Sequence, residues 1–154
     1  MNEEKIYRPN VAAIIMSSGY PYSHNVFIGH RSDIKDAWQF PQGGIDGDES
    51  PEQALFRELK EEIGTNSIEV LSRYPEWLSY DFPSGKKMGI YSGQKQIYFL
   101  VKLKKNAKIT IPTKDLEFDS YKFVKIEEVL DHINHFKKPI YQIALTYFKK
   151  EGFI

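Results

Sequence analysis

Residues 11–16, Val-Ala-Ala-Ile-Ile-Met, form a nearly continuous apolar run, closed by Ser17-Ser18-Gly19 and followed by a polar loop through Asn25. A run this short and this uniformly apolar reads as a buried strand. Val26-Phe27-Ile28 reads as its partner, and Gln96 to Leu103, with Ile97, Phe99 and Val101 alternating against Tyr98, Leu100 and Lys102, is the clearest strand of the second half. Ile109-Thr110-Ile111 and Tyr121 to Ile126 predict two more, with shorter signals at Trp38-Gln39-Phe40 and between Glu69 and Tyr80. Helices are fewer. Ser50 followed by Pro51 gives an N-cap and a favoured first helical residue, Gln53 stands where a capping box wants Glu or Gln, and Gly64 stops the run, which predicts a helix over 51–63. Pro139 opens a second helix, over 139–150, in which Ile140, Ile143, Ala144, Tyr147 and Phe148 recur at helical spacing and read as core; Glu127 to His132 predicts a short third. Mixed strands with these helices predict an α/β sandwich, a mixed β-sheet packed between α-helices.

The length of 154 residues and the 41% hydrophobic content suit one domain, 1–154, with a core of its own, and exclude a disordered chain. No repeat or low-complexity linker divides it. Cysteine is absent, which removes disulfides, Cys-based zinc sites, thiol nucleophiles and iron–sulfur clusters together. Met1 to Asn10 carries Glu3, Glu4, Lys5 and Arg8 without an apolar core, and no later run approaches the roughly 20 apolar residues of a membrane span. A soluble, cytoplasmic chain with no membrane partner is expected. The formal net charge of zero hides an asymmetry: residues 1–76 hold 7 Lys/Arg against 13 Asp/Glu, and residues 77–154 hold 14 against 8. Folded against each other, the halves would face an acidic patch suited to divalent cations with a basic patch suited to phosphates; segregated solvated charge is the plainer reading.

The first helix concentrates the acidic side. Glu58, Glu61 and Glu62 converge on one stripe, beside an apolar stripe of Leu55, Leu59 and Ile63. Like charges at these spacings repel, and the last turn disfavours anions, at a cost of a few tenths of a kcal/mol each. Arg57 can pair with Glu61 one turn on, but a cation would offset far more, since clustered carboxylates are the ligands that Mg²⁺ and Mn²⁺ select. An ordinary exposed Glu-rich helix is the alternative.

Upstream, Gly43-Gly44 leads toward the helix and Glu49 precedes its cap. Gly43, five residues, Glu49, seven residues, then Arg57-Glu58-Leu59-Lys60-Glu61-Glu62-Ile63-Gly64 match the box that defines the Nudix hydrolases: seven fixed positions within residues 43–65. Thr65 departs from it, standing where the family usually has an aliphatic residue. Tyr7-Arg8-Pro9-Asn10-Val11, Trp38-Gln39-Phe40-Pro41-Gln42-Gly43-Gly44, Gly93-Gln94-Lys95-Gln96, Glu117-Phe118-Asp119 and Phe136-Lys137 resemble segments of the bacterial RNA pyrophosphohydrolase branch, which is also close to the dinucleoside polyphosphate hydrolases.

The resemblance implies a Nudix fold and metal-dependent hydrolysis of the 5′-triphosphate end of RNA to a monophosphate, which exposes messages to decay. It implies Mg²⁺ or Mn²⁺ held by Glu58, Glu61, Glu62 and Glu117, with Glu61, Glu62 and Glu117 as the catalytic set and the general base open between Glu61 and Glu117. Leu116 departs from the family's usual Pro. Arg8, Arg31, Lys95 and Lys137 fall on matching segments and are expected at the phosphates, with Gln39 and Gly43 also on the substrate side. Tyr80 and Phe136 are candidate stacking surfaces for a nucleobase, while Phe27, Phe99, Phe123 and Phe148 read as core. Lys102, Lys104, Lys105 and Lys108 read as solvated surface. RNA 5′ ends or nucleoside polyphosphates are the expected partners, not DNA. Hydrolysis of dinucleoside polyphosphates, action on mononucleotides, and a non-catalytic nucleotide- or RNA-binding module are the alternatives. His24, His30, His132 and His135 lack partners at recognisable spacing, with His132 and His135 expected on a surface turn or helix end. No P-loop pattern is present, and Asp46-Gly47-Asp48 fails the EF-hand pattern.

Overall fold

The computed structural model describes residues 4–154; Glu3 of the polar N-terminal stretch lies outside them. The strands are β1 (Tyr7–Met16), β2 (Asn25–Arg31), β3 (Trp38–Gln39), β4 (Gln42–Gly44), β5 (Ile68–Arg73), β6 (Leu78–Asp81), β7 (Gly93–Leu103) and β8 (Phe118–Lys125). The helices are α1 (Pro51–Ile63) and α2 (Lys138–Lys150), with 3₁₀ turns at Pro83–Gly85 and Ile126–His132. The apolar run at 11–16 lies in β1, which runs parallel to β7 from Tyr7↔Gly93 to Met16↔Lys102. Alternate residues of both strands feed two cores. Ala12, Ile14, Met16, Tyr98 and Leu100 pack against Ile140, Tyr141, Ala144 and Phe148 of α2. Val11, Ala13, Ile15, Ile97, Phe99 and Val101 pack against Ala54, Leu55, Leu59 and Ile63 of α1. Burial on both faces is why β1 carries no polar alternation.

The other edge of β1 is shared. Its first half pairs antiparallel with β4, at Asn10↔Gly44, Val11↔Gly43 and Ala12↔Gln42. β2 meets β1 only at Met16↔Val26 and takes β8 as its long partner, so Val26-Phe27-Ile28 flanks β1 without pairing along it. α1 begins and ends where the sequence puts it: the Gln53 N–H donates to Ser50 Oγ at 3.1 Å, the Ser50 N–H donates to Gln53 Oε1 at 2.9 Å, and Gly64 closes the helix at φ 77°. Ile109-Thr110-Ile111 is not a strand. The Thr110 N–H donates to the Ile63 carbonyl at 2.8 Å, so the segment caps the end of α1, where helix carbonyls lack partners of their own. Among the described residues, no helix is long and apolar enough to cross a membrane.

Candidate functional site

α1 lays its apolar stripe on β1 and thereby swings Glu58 and Glu62 toward β4. The approach needs a glycine: a Cβ at Gly43 would overlap the Glu58 carboxyl. Arg57 organises the neighbouring acids. Its guanidinium donates to both oxygens of Glu49 at 2.7 and 2.8 Å, to Glu58 Oε1 at 2.9 Å, to the Gly44 carbonyl at 2.8 Å and, at 3.3 Å, to Glu61. Arg57 and the Asp46 N–H hold Glu49 down at about 2. The Glu61 pair foreseen one turn on is thus the longest of the set, and Glu61 stays exposed.

Glu62 receives none of this support. It is 7% exposed, and its Oε2 has no hydrogen-bond partner. Burial first, then the negative charges of Glu117 and Glu58, push its pKa well above the ordinary carboxylate range. Burial also raises Glu58, against the opposing pull of Arg57. Glu117, on the loop entering β8, is fixed by its main chain, since the Ser32 N–H donates to its carbonyl at 3.0 Å, and by its side chain, which accepts from Gln39 Nε2 at 3.1 Å. The Ser32 hydroxyl also donates to the Leu116 carbonyl.

Across from the carboxylates, Lys137 at the start of α2 is 4% exposed. Its ammonium donates to Gln42 Oε1 at 2.8 Å and to Gln39 Oε1 at 3.4 Å, and lies 5.7 Å from the centre of the Tyr80 ring and 5.9 Å from that of Phe136. Burial, with Arg31 nearby, lowers its pKa to about 8 against the upward pull of Glu117, Glu62 and Asp33. A cavity of about 210 Å³ opens beside it, lined by Arg31, Ala37, Gln39, His135 and Phe136 among others. Arg31 forks onto Asp33, at 2.9 and 2.7 Å. The exposed Phe136 ring packs edge-on to Tyr80 at 5.3 Å; Tyr80 is half-buried, with its hydroxyl spent on Gln94. Burial pushes Tyr80 up to about 12.

The structure therefore brings together Glu58, Glu62, Glu117, Gln39, Gly43, Lys137, Arg31, Tyr80 and Phe136. Arg8, exposed on β1, lies against Gly44, whose lack of a side chain makes room for the guanidinium. Lys95 lies apart, its ammonium 4.8 Å over the Trp77 ring. His135 is half-buried rather than at the surface. Its Nε2 is 2.9 Å from the Trp38 carbonyl, and burial lowers its pKa, so it is the neutral ring that donates there. His30 does have a carboxylate partner, Asp119 at 2.8 Å, but its other nitrogen accepts from the Asp36 N–H, so both ring nitrogens are spent on local structure.

Residues 6–143 match the family model of the NUDIX domain. The chain belongs to the Nudix family. The RNA pyrophosphohydrolase of Campylobacter jejuni is 58% identical over 156 residues, covering 100% of both chains. That of Helicobacter pylori strain P12 is 53% identical over 152 residues, 97% of this chain and 98% of the relative. Among solved structures, a C. elegans Ap4A hydrolase binary complex superposes with a TM-score of 0.70 over 94% of this chain and 98% of that one, at 18% identity, a likeness of fold alone.

Within the Nudix box Arg57 takes Glu49, Glu58, Glu61 and, at 3.3 Å, Asp46, and leaves Glu62 to Glu117. Among the described residues, no three His, Asp or Glu side chains stand close enough together to hold a metal ion as they are. The donor set nonetheless fits a divalent cation, because a buried carboxylate oxygen without a donor, pressed by two further carboxylates, is compensated by little else. Beneath the site runs a polar network that sequence reading missed. Gln42 Nε2 donates to Gln94 Oε1 at 3.2 Å, and Gln96 Nε2 donates to Gln42 Oε1 at 3.0 Å and to Asn10 Oδ1 at 2.8 Å. The Tyr98 hydroxyl donates to Gln96 Oε1 at 2.8 Å. Asn10 and Gln96, amides at the ends of apolar runs on paired strands, were its signal.

Proposed function

We propose that this chain hydrolyses the triphosphate at the 5′ end of RNA in a reaction dependent on a divalent cation, leaving a 5′-monophosphate, releasing pyrophosphate or orthophosphate, and exposing the transcript to decay. The observation that carries the reading is the placement of the Glu117 carboxylate, beside the buried Glu62, and the buried Lys137 ammonium at opposite ends of one Gln39 amide, next to the exposed Phe136 ring. Full-length likeness to proteins named RNA pyrophosphohydrolase supports the substrate.

Glu58, Glu62 and Glu117 would hold the cation, with Glu61 reaching it from the exposed side; Mg²⁺ is the reading, with Mn²⁺ as its substitute. A cation held there would supply charge neutralisation at the phosphate oxygens and a more acidic water. The chain's own groups do the rest. Lys137 and Arg31 bind phosphate oxygens on the side away from the carboxylates, Lys137 as a point charge and Arg31 as a fork. Phe136 offers its exposed face to a base near the 5′ end. Water oxygen attacks phosphorus, the bridging phosphoanhydride bond breaks, and the water proton passes to Glu61 or Glu117, so no protein nucleophile is needed.

Turnover of 5′-triphosphorylated RNA and of diadenosine tetraphosphate in Mg²⁺, compared as kcat/KM, tests the proposal. RNA is expected to be preferred. A strong preference for the dinucleotide overturns the substrate, and no turnover of either overturns hydrolysis in favour of binding alone.

A further inference from the structure

Gln39 sits on β3, 1% exposed, between the two charged sides of the cleft. Its amide can take only one orientation there. The Lys137 ammonium can only donate, so the Gln39 oxygen must face it, at 3.4 Å; an ionised Glu117 can only accept, so the Gln39 nitrogen must face that carboxylate, at 3.1 Å. Among the described residues, no carboxylate stands within 4 Å of the Lys137 ammonium. Two opposite charges in a water-poor cleft would otherwise close on each other, because their attraction grows as the dielectric falls. A closed pair would cost the site twice, since the carboxylate would be less free for a cation and the ammonium less free for a phosphate.

We propose that Gln39 is a positioning residue, a neutral spacer whose amide dipole holds the Lys137 ammonium and the Glu117 carboxylate apart, satisfying each while keeping both available to ligands. It needs both ends of its amide. Gln42 anchors the ammonium from the other side at 2.8 Å, and two of the three N–H donors are thereby spent on neutral oxygens. Gln42 is itself locked by Gln96 and Gln94, so the ammonium is moored to a neutral network and not to a counter-ion. The inference rests on the proposed reading of the site, but it concerns the polarity of the cleft and not the identity of the nucleotide.

The first test reads the carboxylate end without substrate. Mn²⁺ titration by electron paramagnetic resonance should show Gln39→Met binding Mn²⁺ about 10–100-fold more weakly than wild type, the usual cost of losing an outer partner of a ligand. Adding Lys137→Met should restore most of that loss, because no ammonium then remains to capture Glu117. An additive or deeper loss in the double variant overturns the spacer, since a merely structural Gln39 gains nothing from removal of Lys137. The second test reads the ammonium end and stands even if Gln39→Met does not fold. Gln39→Glu, of nearly equal volume, pairs directly with Lys137 and should raise KM for the turned-over polyphosphate about tenfold, the size of effect expected for loss of a supporting partner, and more than it lowers kcat. An unchanged KM overturns the proposal. Both tests hold for whichever polyphosphate the enzyme prefers, so failure of the RNA assignment leaves them standing.

Discussion

Glu62→Gln should make the cation-free protein more stable while destroying its activity. Glu62 is 7% exposed with one oxygen unpartnered, and it faces two further carboxylates. Gln keeps the volume, removes the charge and supplies an N–H₂ that can donate to Glu58 or Glu117. Relief of a buried unsatisfied polar group is worth about 1–3 kcal/mol. At about 2 kcal/mol, and about 2–4 °C per kcal/mol for a chain of this size, Tm should rise by about 4–8 °C in chelator at pH 7.5. The gain depends on pH in a definite direction. The folded pKa of Glu62 is raised, so its favourable contribution is complete below the unfolded value of 4.5 and is lost as pH rises through the folded one. The variant's advantage should therefore be small at pH 4 and open toward neutrality. Calorimetry in EDTA at the two pH values measures it, and Mg²⁺ should then raise the Tm of wild type and leave the variant where it is. Turnover should fall by several orders of magnitude. A lower Tm for the variant in chelator at pH 7.5, or an equal gain at both pH values, would refute the crowding of these carboxylates.

Gly43→Ala drives a methyl into the Glu58 carboxyl and should cut turnover about 10–100-fold with the helix content intact by circular dichroism; full activity would remove Glu58 from the site. Glu49 titrates at about 2 in the fold, so the stability it contributes is present above 4.5 and is lost as pH falls toward 2. Glu49→Gln should accordingly be less stable at neutral pH and show a flatter acid limb in a circular-dichroism titration, and an unchanged limb would mean that Arg57 does not hold it. Phe136→Ala, removing a ring that is 45% exposed, should raise KM for triphosphorylated RNA about tenfold or more with little change in Tm, whereas a lower Tm at constant KM would assign the ring to packing.

What the sequence displayed and what it concealed differ by the distance over which each feature is determined. The limits of α1 are local: Ser50, Pro51, Gln53 and Gly64 act within one turn of themselves, so the helix runs from Pro51 to Ile63 as expected. The uniform apolarity of β1 is also local, because it records both covering layers at every position. Lys137 is the opposite case. Its place at the phosphates is expected only from the family resemblance, and its burial is not expected at all: Gln39 and Gln42, 98 and 95 positions away, reach it. Ile109-Thr110-Ile111 has the β-branched composition of a strand, yet its backbone donor is claimed by the open end of α1. The box shows the same division at finer scale. Spacing places Glu58, Glu61 and Glu62 on one stripe, but it does not say which is buried and which compensated. Arg57 decides that by satisfying Glu49 and Glu58 and reaching Glu61, while the loop entering β8 sets Glu117 against Glu62, which has an oxygen left over. Among the described residues the buried Glu62 carboxylate is thus left with an unpartnered oxygen, the arrangement expected where the compensating charge comes from a ligand.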